Sequence, residues 1–419
     1  MNSMRVGLQG WGSEGDNRPL IALAAALRKK GHQVRLVLTN VDGADHAPLC
    51  RMLDVPLEVV PQTMGFSLPA VAADADSLDP MKLSRQMLEQ ALYPHLDAMY
   101  EAALDLCSRS DLVVWNYVAW YVKAAAQKTG VRDVAVHYVP GLVPSRLAPP
   151  EGLPDWGWFN PAWWFLARKL LDVSLGQPVR FFRSRGLAAP RHVLPDLAFS
   201  DHLNLHAASP SLWPPPLDSG EIHQACGHFT LGDDSVPWEP SPALGAFLDS
   251  GERPVFCSLG SMEHMAPRRA RALLVDGMRE AGVRAIVQTK RAPLEERSEG
   301  DLYFLPWAPH RKLLPRCRAI IHHGGAGTSH AALRAGIPSV VLPFIFEQRL
   351  WGRRLHRTGT ANEPLSFWKT TPKKLAVKVG EVLASEAMAT RARELSAQLA
   401  REDGVGTATR LLEQLINHS

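Results

Sequence analysis

The segment whose residue types most clearly suit chemistry is HHGGAGT, at residues 322–328. Glycines that follow a strand let backbone amides approach a ligand closely. Thr328 is suited to cap a following helix, whose positive N-terminal end favours a diphosphate. His323 can donate a further hydrogen bond to a phosphate oxygen. The pattern predicts a phosphate-binding loop, and the alternative is a glycine-rich turn with two ordinary histidines.

Two other predicted strand ends carry side chains that complement a phosphate loop. Trp307, in LPWAPH at 305–310, could stack on a nucleobase, a contact worth about 1–3 kcal/mol, or could be a core residue. Glu347 and Gln348, in PFIFEQRLW at 343–351, suit the hydroxyls of a sugar, and the alternative is a solvated loop. Together these strand ends predict a nucleotide-sugar site.

A second glycine-rich segment, GWGSEG at 10–15, matches the dinucleotide pattern G-x-G-x-x-G. The acid expected after the second strand is missing, since Thr39 and Asn40 stand there, and Asp16 would repel a phosphate at the helix start. The alternatives are a tight turn with Asp16 as the N-cap, or Asp16 as a catalytic base at the carboxyl end of a parallel strand.

The elements that would position these segments alternate between strands and helices. A strand at 5–9, a helix at 19–30 and a strand at 34–38 are predicted first, with further strands at 111–115 and 134–138. Strand, helix and strand within about 35 residues indicate a parallel sheet.

The chain then passes through a segment at 140–220 that is rich in Pro, Trp and Arg, for which helices and loops are predicted. Three successive prolines within SPSLWPPPLD, at 209–218, indicate a domain boundary. A second α/β alternation follows: strands at 255–258, 285–288, 319–321 and 339–342, helices at 267–280 and 328–335, and helical periodicity over 372–415.

Length and composition exclude several classes of protein. The 419 residues allow two large domains, and 46% hydrophobic and 21% charged residues are ordinary for a globular protein. A net charge of +4 argues against a nucleic-acid partner. Neither a bilayer-spanning apolar run nor a signal peptide is recognisable, and the five scattered cysteines fit neither a disulfide framework nor a zinc site. We therefore expect a cytoplasmic protein.

Three segments resemble family 1 glycosyltransferases, the group of UDP-glycosyltransferases, sterol glucosyltransferases and vancomycin-type antibiotic glycosyltransferases. Residues 307–348 resemble the donor-binding signature of that family. GSEGDNRPLIAL at 12–23 resembles a segment of its sterol and vancomycin-type members, and PVFCSLGSM at 254–262 resembles the strand and turn that open their C-terminal domain.

The resemblance implies the GT-B fold, in which two Rossmann-like domains with parallel sheets face each other across a cleft. We place an acceptor-binding domain at 1–218, a donor-binding domain at 219–395 and a helix returning to the first domain at 396–419. The residues implied to bind the donor are Ser13, Ser261, Trp307, His323, Gly325, Ala326, Gly327, Thr328, Glu347 and Gln348.

Asp16 falls on the position of the family's catalytic base. Many members have a histidine there, paired with an aspartate after a later strand, whereas this chain has Asp16 and Asn116. Asp16 would therefore act without a carboxylate partner. A second departure is Glu347, where aspartate is commoner, and this leaves the donor sugar open.

The expected activity is an inverting, metal-independent transfer of a sugar from a nucleotide sugar, similar to UDP-glucose, to a hydroxyl of a hydrophobic small molecule or lipid. No cofactor is expected. Asp74 and Asp76 match a metal-binding D-x-D motif but lie in a predicted loop far along the chain from the phosphate loop. The alternatives are a nucleotide-sugar epimerase of the same fold, an NAD(P)-dependent oxidoreductase that uses GWGSEG, and an inactive binding protein.

The acceptor is assigned only to a region. Asn116, Trp156 and Trp163 are the predicted acceptor contacts. The aromatic and basic segment at 154–171, PDWGWFNPAWWFLARKLL, could line a pocket for a hydrophobic acceptor, make peripheral contact with a membrane, or pack on its own domain.

Overall fold

A computed structural model of the chain describes residues 3–61, 86, 88–231, 238–289 and 295–417. The described residues form two compact units. The first unit contains those up to 231 together with 402–417, and the second contains 238–401. The prediction of an α/β protein with two parallel sheets is confirmed.

The first unit is built on a seven-stranded parallel sheet in the order β3-β2-β1-β4-β5-β6-β7. Its strands are β1 (Arg5–Gly12), β2 (Gln33–Asn40), β3 (Leu57–Val59), β4 (Leu112–Asn116), β5 (Arg132–His137), β6 (Leu203–His206) and β7 (His223–Ala225). The central strands β1, β2, β4 and β5 are predicted by the sequence, and the short strands β6 and β7 are not.

Helices cover this sheet, and their apolar faces fill its core. They are α1 (Glu14–Lys29), α2 (Ala47–Met52), α3 (Leu96–Ser108), α4 (Tyr121–Thr129), α5 (Asn160–Asp172) and α6 (Gly176–Ser184). The chain's last helix, α14 (Gly404–Asn417), also belongs to this unit, where Glu413 pairs with Lys30 at 3.2 Å and approaches His32 to 3.1 Å.

Three histidines at one end of the first sheet form what we call the histidine stack: His137 and His206, which are buried, and His223, which is partly buried. The ring centroids of successive members are 5.2 and 5.4 Å apart. Burial lowers the pKa of His137 to about 3 and that of His223 to about 4, so the stack is uncharged at neutral pH.

The second unit has a six-stranded sheet in the order β10-β11-β9-β8-β12-β13, with only β10 antiparallel. Its strands are β8 (Val255–Ser258), β9 (Ala285–Gln288), β10 (Arg297–Glu299), β11 (Leu302–Leu305), β12 (Ala319–His322) and β13 (Ser339–Val341). Its helices are α7 (Pro242–Asp249), α8 (Pro267–Ala281), α9 (His310–Leu313), α10 (Ala326–Arg334), α11 (Phe346–Arg357), α12 (Pro372–Ala384) and α13 (Glu386–Leu399).

The proline-rich segment does not end the first unit. We predicted domain boundaries after residues 218 and 395. In the structure β7 still pairs with β6 beyond the prolines, so the first unit continues to 231. The last helix of the second unit, α13, runs to Leu399, and the chain rejoins the first unit at 402.

Candidate functional site

The catalytic candidate of the first unit, Asp16, lies in the first turn of α1. We predicted that this helix begins at residue 19 and that Asp16 could be its N-cap. Both expectations are wrong, because β1 extends through Gly12 and α1 already begins at Glu14 with Ser13 as the N-cap residue. Asp16 is the third helical residue, the position from which an acidic side chain reaches back to the N-cap.

One oxygen of the Asp16 carboxylate is fixed by Ser13. Oδ2 accepts hydrogen bonds from the backbone N–H and from the hydroxyl of Ser13, each at 2.8 Å. No described residue donates to Oδ1. The Tyr138 hydroxyl anchors the same residue from behind by donating to the Asp16 backbone carbonyl at 2.7 Å.

Gly12 makes this arrangement possible. Its φ is +145°, and a Cβ at this position would lie 2.5 Å from Asp16 Oδ2. Only glycine combines that backbone conformation with the space that the carboxylate needs.

The pKa of Asp16 is raised to about 6, chiefly by burial and to a smaller extent by the nearby Asp42, and the two hydrogen bonds from Ser13 oppose this shift. A carboxylate with this pKa is ionised at neutral pH and is a stronger base than an ordinary aspartate. The side chain therefore fits the role of a general base.

Ser13 was predicted to contact donor phosphate. Its hydroxyl has a single proton, which is donated to Asp16 in this structure, and its N–H is also used. The geometry supports a positioning role for Ser13 instead.

The helix start is also unsuited to the dinucleotide alternative. The N–H of Ser13 is bonded to Asp16, and the N–H of Glu14 donates to Asp42 at 2.9 Å. Two carboxylates thus occupy the position where a pyrophosphate would bind.

Asn116 was predicted to contact the acceptor, but its burial and its bonds in the structure favour a structural role. It is fully buried at the end of β4, and both ends of its amide bond to the backbone of Trp11: Nδ2 donates to the carbonyl at 2.8 Å and Oδ1 accepts from the N–H at 3.3 Å. The side chain extends the pairing of β1 with β4 and is fully buried in this structure.

Trp156 and Trp163, the other predicted acceptor contacts, lie together. Their ring centroids are 5.3 Å apart, and Phe159 lies within 5.6 Å of both. Trp156 is largely exposed, and Trp163 is partly buried at the start of α5. The structure therefore brings these two residues into one aromatic cluster.

In the second unit, the segment 322–328 joins β12 to α10, as expected for a phosphate loop. Thr328 was predicted to be the helix cap. This is wrong: Gly325 is the N-cap residue, and Ala326, Gly327 and Thr328 form the first turn. The first N–H groups of a helix have no intrahelical acceptor, so this turn presents backbone donors, a suitable arrangement for an anion.

The His323 ring packs against two glycines. A Cβ on Gly325 would lie 2.5 Å from His323 Nε2, and a Cβ on Gly260, whose φ is +58°, would lie 3.0 Å from Cε1. Burial lowers the pKa of His323 to about 4, so the ring is neutral at pH 7 and retains one N–H to donate. Ser261 directly follows Gly260, which lies against the His323 ring, so Ser261 and His323, both predicted donor contacts, lie close together.

Gln348 is buried in the first turn of α11. Its Oε1 accepts from the N–H of Phe344 at 2.9 Å, so only the Nε2 end of this amide is suited to a sugar hydroxyl. A Cβ on Gly324 would lie 2.6 Å from the Gln348 carbonyl, and the phosphate loop therefore lies directly against this turn. Glu347 is the preceding residue and is partly buried.

Trp307 follows β11, and its side chain is 39% exposed. The alternative that it is a core residue is therefore wrong. An exposed indole at the carboxyl end of a parallel strand is available for stacking.

Three buried polar residues at or just after the ends of strands β8 and β9 were not predicted from the sequence: Glu263 lies in the turn after β8, and Gln288 and Thr289 lie at the end of β9. Thr289 donates its hydroxyl proton to Glu263 at 2.7 Å, and Gln288 Oε1 is buried without a hydrogen-bond partner among the described residues. All three line a small cleft beside α8. The sequence feature that could have identified Gln288 and Thr289 is their position as two polar residues directly after the apolar run AIV of β9.

Across the described ranges, no group of three or more His, Cys, Asp or Glu side chains is arranged to hold a metal ion. Asp74 and Asp76, the D-x-D match, lie outside those ranges.

Known proteins are similar to this chain over part or nearly all of its length. Residues 284–412 match the family model described as erythromycin biosynthesis protein CIII-like, C-terminal domain. The chain is 30% identical to O-mycaminosyltylonolide 6-deoxyallosyltransferase of Streptomyces fradiae, over 98% of this chain and 97% of that protein. It is 29% identical to vancomycin aglycone glucosyltransferase of Amycolatopsis orientalis, over 98% of this chain and 97% of that protein.

Solved structures show the same fold. A calicheamicin glycosyltransferase superposes with a TM-score of 0.68 at 18% identity, covering 100% of this chain and 99% of that one. A spinosyn rhamnosyltransferase complexed with thymidine diphosphate gives a TM-score of 0.65 at 20% identity, covering 98% of this chain and all of that one, 100%. The two sheets and the relatives that match this chain over nearly their whole length lead to one conclusion: the chain belongs to the family 1 glycosyltransferases, which have the GT-B fold.

Proposed function

We propose that this glycosyltransferase moves a sugar from a nucleoside diphosphate sugar to a hydroxyl of a hydrophobic small molecule or lipid, with inversion and without a metal ion. The observation that carries the proposal is the state of Asp16. One carboxylate oxygen is held by Ser13, no described residue donates to the other, and the pKa is raised to about 6. A general base needs an oriented carboxylate that is ionised near neutral pH.

In the proposed reaction, Asp16 takes the proton of the acceptor hydroxyl as that oxygen attacks the anomeric carbon. The bond between this carbon and the diphosphate oxygen breaks in the same step, so the configuration inverts. General base catalysis of this kind contributes about 10²–10⁴-fold to the rate.

The leaving diphosphate gains negative charge, and the second unit supplies fixed donors for it. These donors are the backbone N–H groups of the first turn of α10 and the neutral imidazole of His323. Because such donors need no reorganisation during the reaction, the proposal needs no metal ion.

Support for the substrate classes comes from the relatives. The vancomycin and 6-deoxyallosyl enzymes are named for sugar transfer to natural products, and the spinosyn enzyme was crystallised with thymidine diphosphate. A sterol 3-beta-glucosyltransferase of Arabidopsis thaliana, 25% identical over 95% of this chain and 63% of that protein, supports a lipid-like acceptor equally well. The donor is predicted to be similar to UDP-glucose, and a donor that carries thymidine diphosphate in place of UDP is the other prediction.

The test is a transfer assay that crosses UDP- and dTDP-sugars with macrolide, glycopeptide and sterol acceptors, read by NMR of the anomeric proton. We expect product of inverted configuration, formed only when an acceptor is present and at the same rate in EDTA. Conversion of the donor without an acceptor would establish the epimerase alternative. Retention of configuration, or loss of activity in EDTA, would refute the proposed mechanism.

A further inference from the structure

Exposed apolar side chains are concentrated in one stretch of the first unit. Of the fourteen large hydrophobic residues that are exposed within the described ranges, eight lie between 147 and 173. Single exposed hydrophobic residues are normal on a protein surface, whereas a concentration of this kind marks a binding surface.

The helix α5 is apolar on two opposite faces. Its inner face packs into a small core through Trp164, whose indole N–H also donates to the Ala148 carbonyl at 2.8 Å. Its outer face, which we call the α5 outer face, consists of Phe165, Leu166, Lys169, Leu170 and Val173. A helix that is apolar all round is normally buried on all sides. Because the inner face of α5 packs on its own unit, the exposed apolar outer face suggests a second binding partner.

The apolar residues of the α5 outer face are strongly exposed. Val173 is 79% exposed and Leu170 60%, and Phe165 and Leu166 are each about half exposed. Nearby, Trp158 is 88% exposed, and it packs edge-on against Phe159 of the aromatic cluster. Tryptophan at such a position is typical of membrane–water interfaces.

Cations are interleaved with these apolar groups. Lys169 Nζ and the Arg168 guanidinium each lie 5.7 Å from the Phe165 ring centroid. Arg180 and Arg183 of the following helix α6 are also exposed.

The acids of this segment do not cancel that charge at the surface. Asp155 and Asp172 are the acids between residues 152 and 185. Asp155 accepts from the Gly157 N–H and Asn160, and Asp172 is bonded to His192 and the Val193 N–H. These hydrogen bonds leave both carboxylates charged, but the same stretch holds five basic residues: Arg168, Lys169, Arg180, Arg183 and Arg185. Arg185 is paired with Asp97, and the remaining four cations outnumber the two acids, so the net charge around the α5 outer face is positive.

We infer that the α5 outer face docks on the surface of an anionic lipid bilayer. Apolar groups would enter the boundary between headgroups and acyl chains, while Lys169 and its neighbours contact anionic headgroups. A second copy of the chain is a poorer occupant, because it would bring the same cations against these. No helix in the described parts of the chain is long and apolar enough to cross a bilayer, so the contact is with the surface.

The test is flotation of the whole protein with vesicles of phosphatidylcholine alone or mixed with phosphatidylglycerol. We expect binding only to the mixed vesicles, with release at high salt because salt screens the charges. The triple variant Phe165→Ser, Leu170→Ser, Val173→Ser should bind at least about tenfold more weakly, since three apolar side chains no longer enter the bilayer. Leu217→Ser, at a residue 96% exposed outside this segment, is the matched control and should bind like the parent.

Because all three substituted side chains are exposed, the triple variant should keep the parent's circular dichroism and its transfer of sugar to a soluble acceptor without vesicles. A failure of membrane docking is thus distinguishable from a failure of the proposed function. Absence of flotation, or equal flotation of the triple variant and its parent, overturns the inference. So does concentration-dependent dimerisation that the triple variant abolishes, because the occupant would then be a second copy.

Discussion

Replacing Ser13 with alanine should move the acidic limb of the pH–rate profile to higher pH. The Ser13 hydroxyl donates to Asp16 Oδ2 at 2.8 Å and stabilises the ionised form, which is the form that can accept a proton. A hydrogen bond to a charged group is worth about 1.5–3 kcal/mol, and one pKa unit corresponds to about 1.4 kcal/mol.

The remaining bond from the Ser13 backbone N–H, together with solvent at the partly exposed carboxylate, reduces the expected shift to about one unit. The pKa of Asp16 should then rise from about 6 to roughly 7. At pH 6 the ionised fraction falls from about one half to about one tenth, and kcat/KM should fall about fivefold, whereas above pH 8 the variant should approach its parent.

The assay is kcat/KM for sugar transfer between pH 5 and 9, the quantity that reports the ionisation of the free enzyme. Ser13→Thr keeps a hydroxyl and should restore the parental limb. A limb that stays in place in Ser13→Ala, or that moves to lower pH, would show that this hydrogen bond does not tune the reacting group.

Three further results are expected. Gly12→Ala places a Cβ 2.5 Å from Asp16 Oδ2 at a φ of +145°, so the rate of sugar transfer should fall at least about tenfold. Nucleotide binding, measured by calorimetry, should be kept, and an unchanged transfer rate would contradict the close approach. Asn116→Leu leaves both backbone groups of Trp11 unpaired and should lower the free energy of unfolding by about 2–4 kcal/mol in urea titrations. A loss under about 0.5 kcal/mol would show that the bonds from Asn116 to Trp11 do not stabilise the fold. The three histidines of the stack bind protons more readily in the unfolded chain than in the folded one, so the free energy of unfolding in urea should fall as the pH drops from about 6.5 towards 4. Substituting all three histidines with phenylalanine should make that fall smaller.

Much of the fold could be predicted because buried parallel strands are apolar runs. β8 and β9, with sequences VFCS and AIVQ, have the predicted bounds for this reason. β6 and β7, with sequences LNLH and HQA, are short and polar, and their pairing depends on a sheet that earlier strands have already formed. No local pattern identifies such strands.

The site was predictable where it depends on local sequence. The glycines between a strand and a helix predicted the loop at 322–328. The Ser-x-x-Asp pattern of residues 13–16 is typical of a helix start, but it was missed because the helix was predicted to begin at residue 19. The role of Asn116 was not predictable, because its partner Trp11 lies 105 residues away and becomes a neighbour only when β4 pairs with β1. Its identity as an asparagine at the end of a strand suggested a ligand contact, but the register of the two strands directs both ends of the amide at the Trp11 backbone.

The most direct test of the central claim, that Asp16 is the general base, is the single-turnover rate of Asp16→Asn at saturating donor, with the donor Kd measured in parallel. The asparagine keeps the size of the side chain but cannot accept a proton at neutral pH. We predict that the rate falls by about 10²–10⁴-fold and that the donor Kd does not change. A loss of less than about tenfold would show that another group removes the proton.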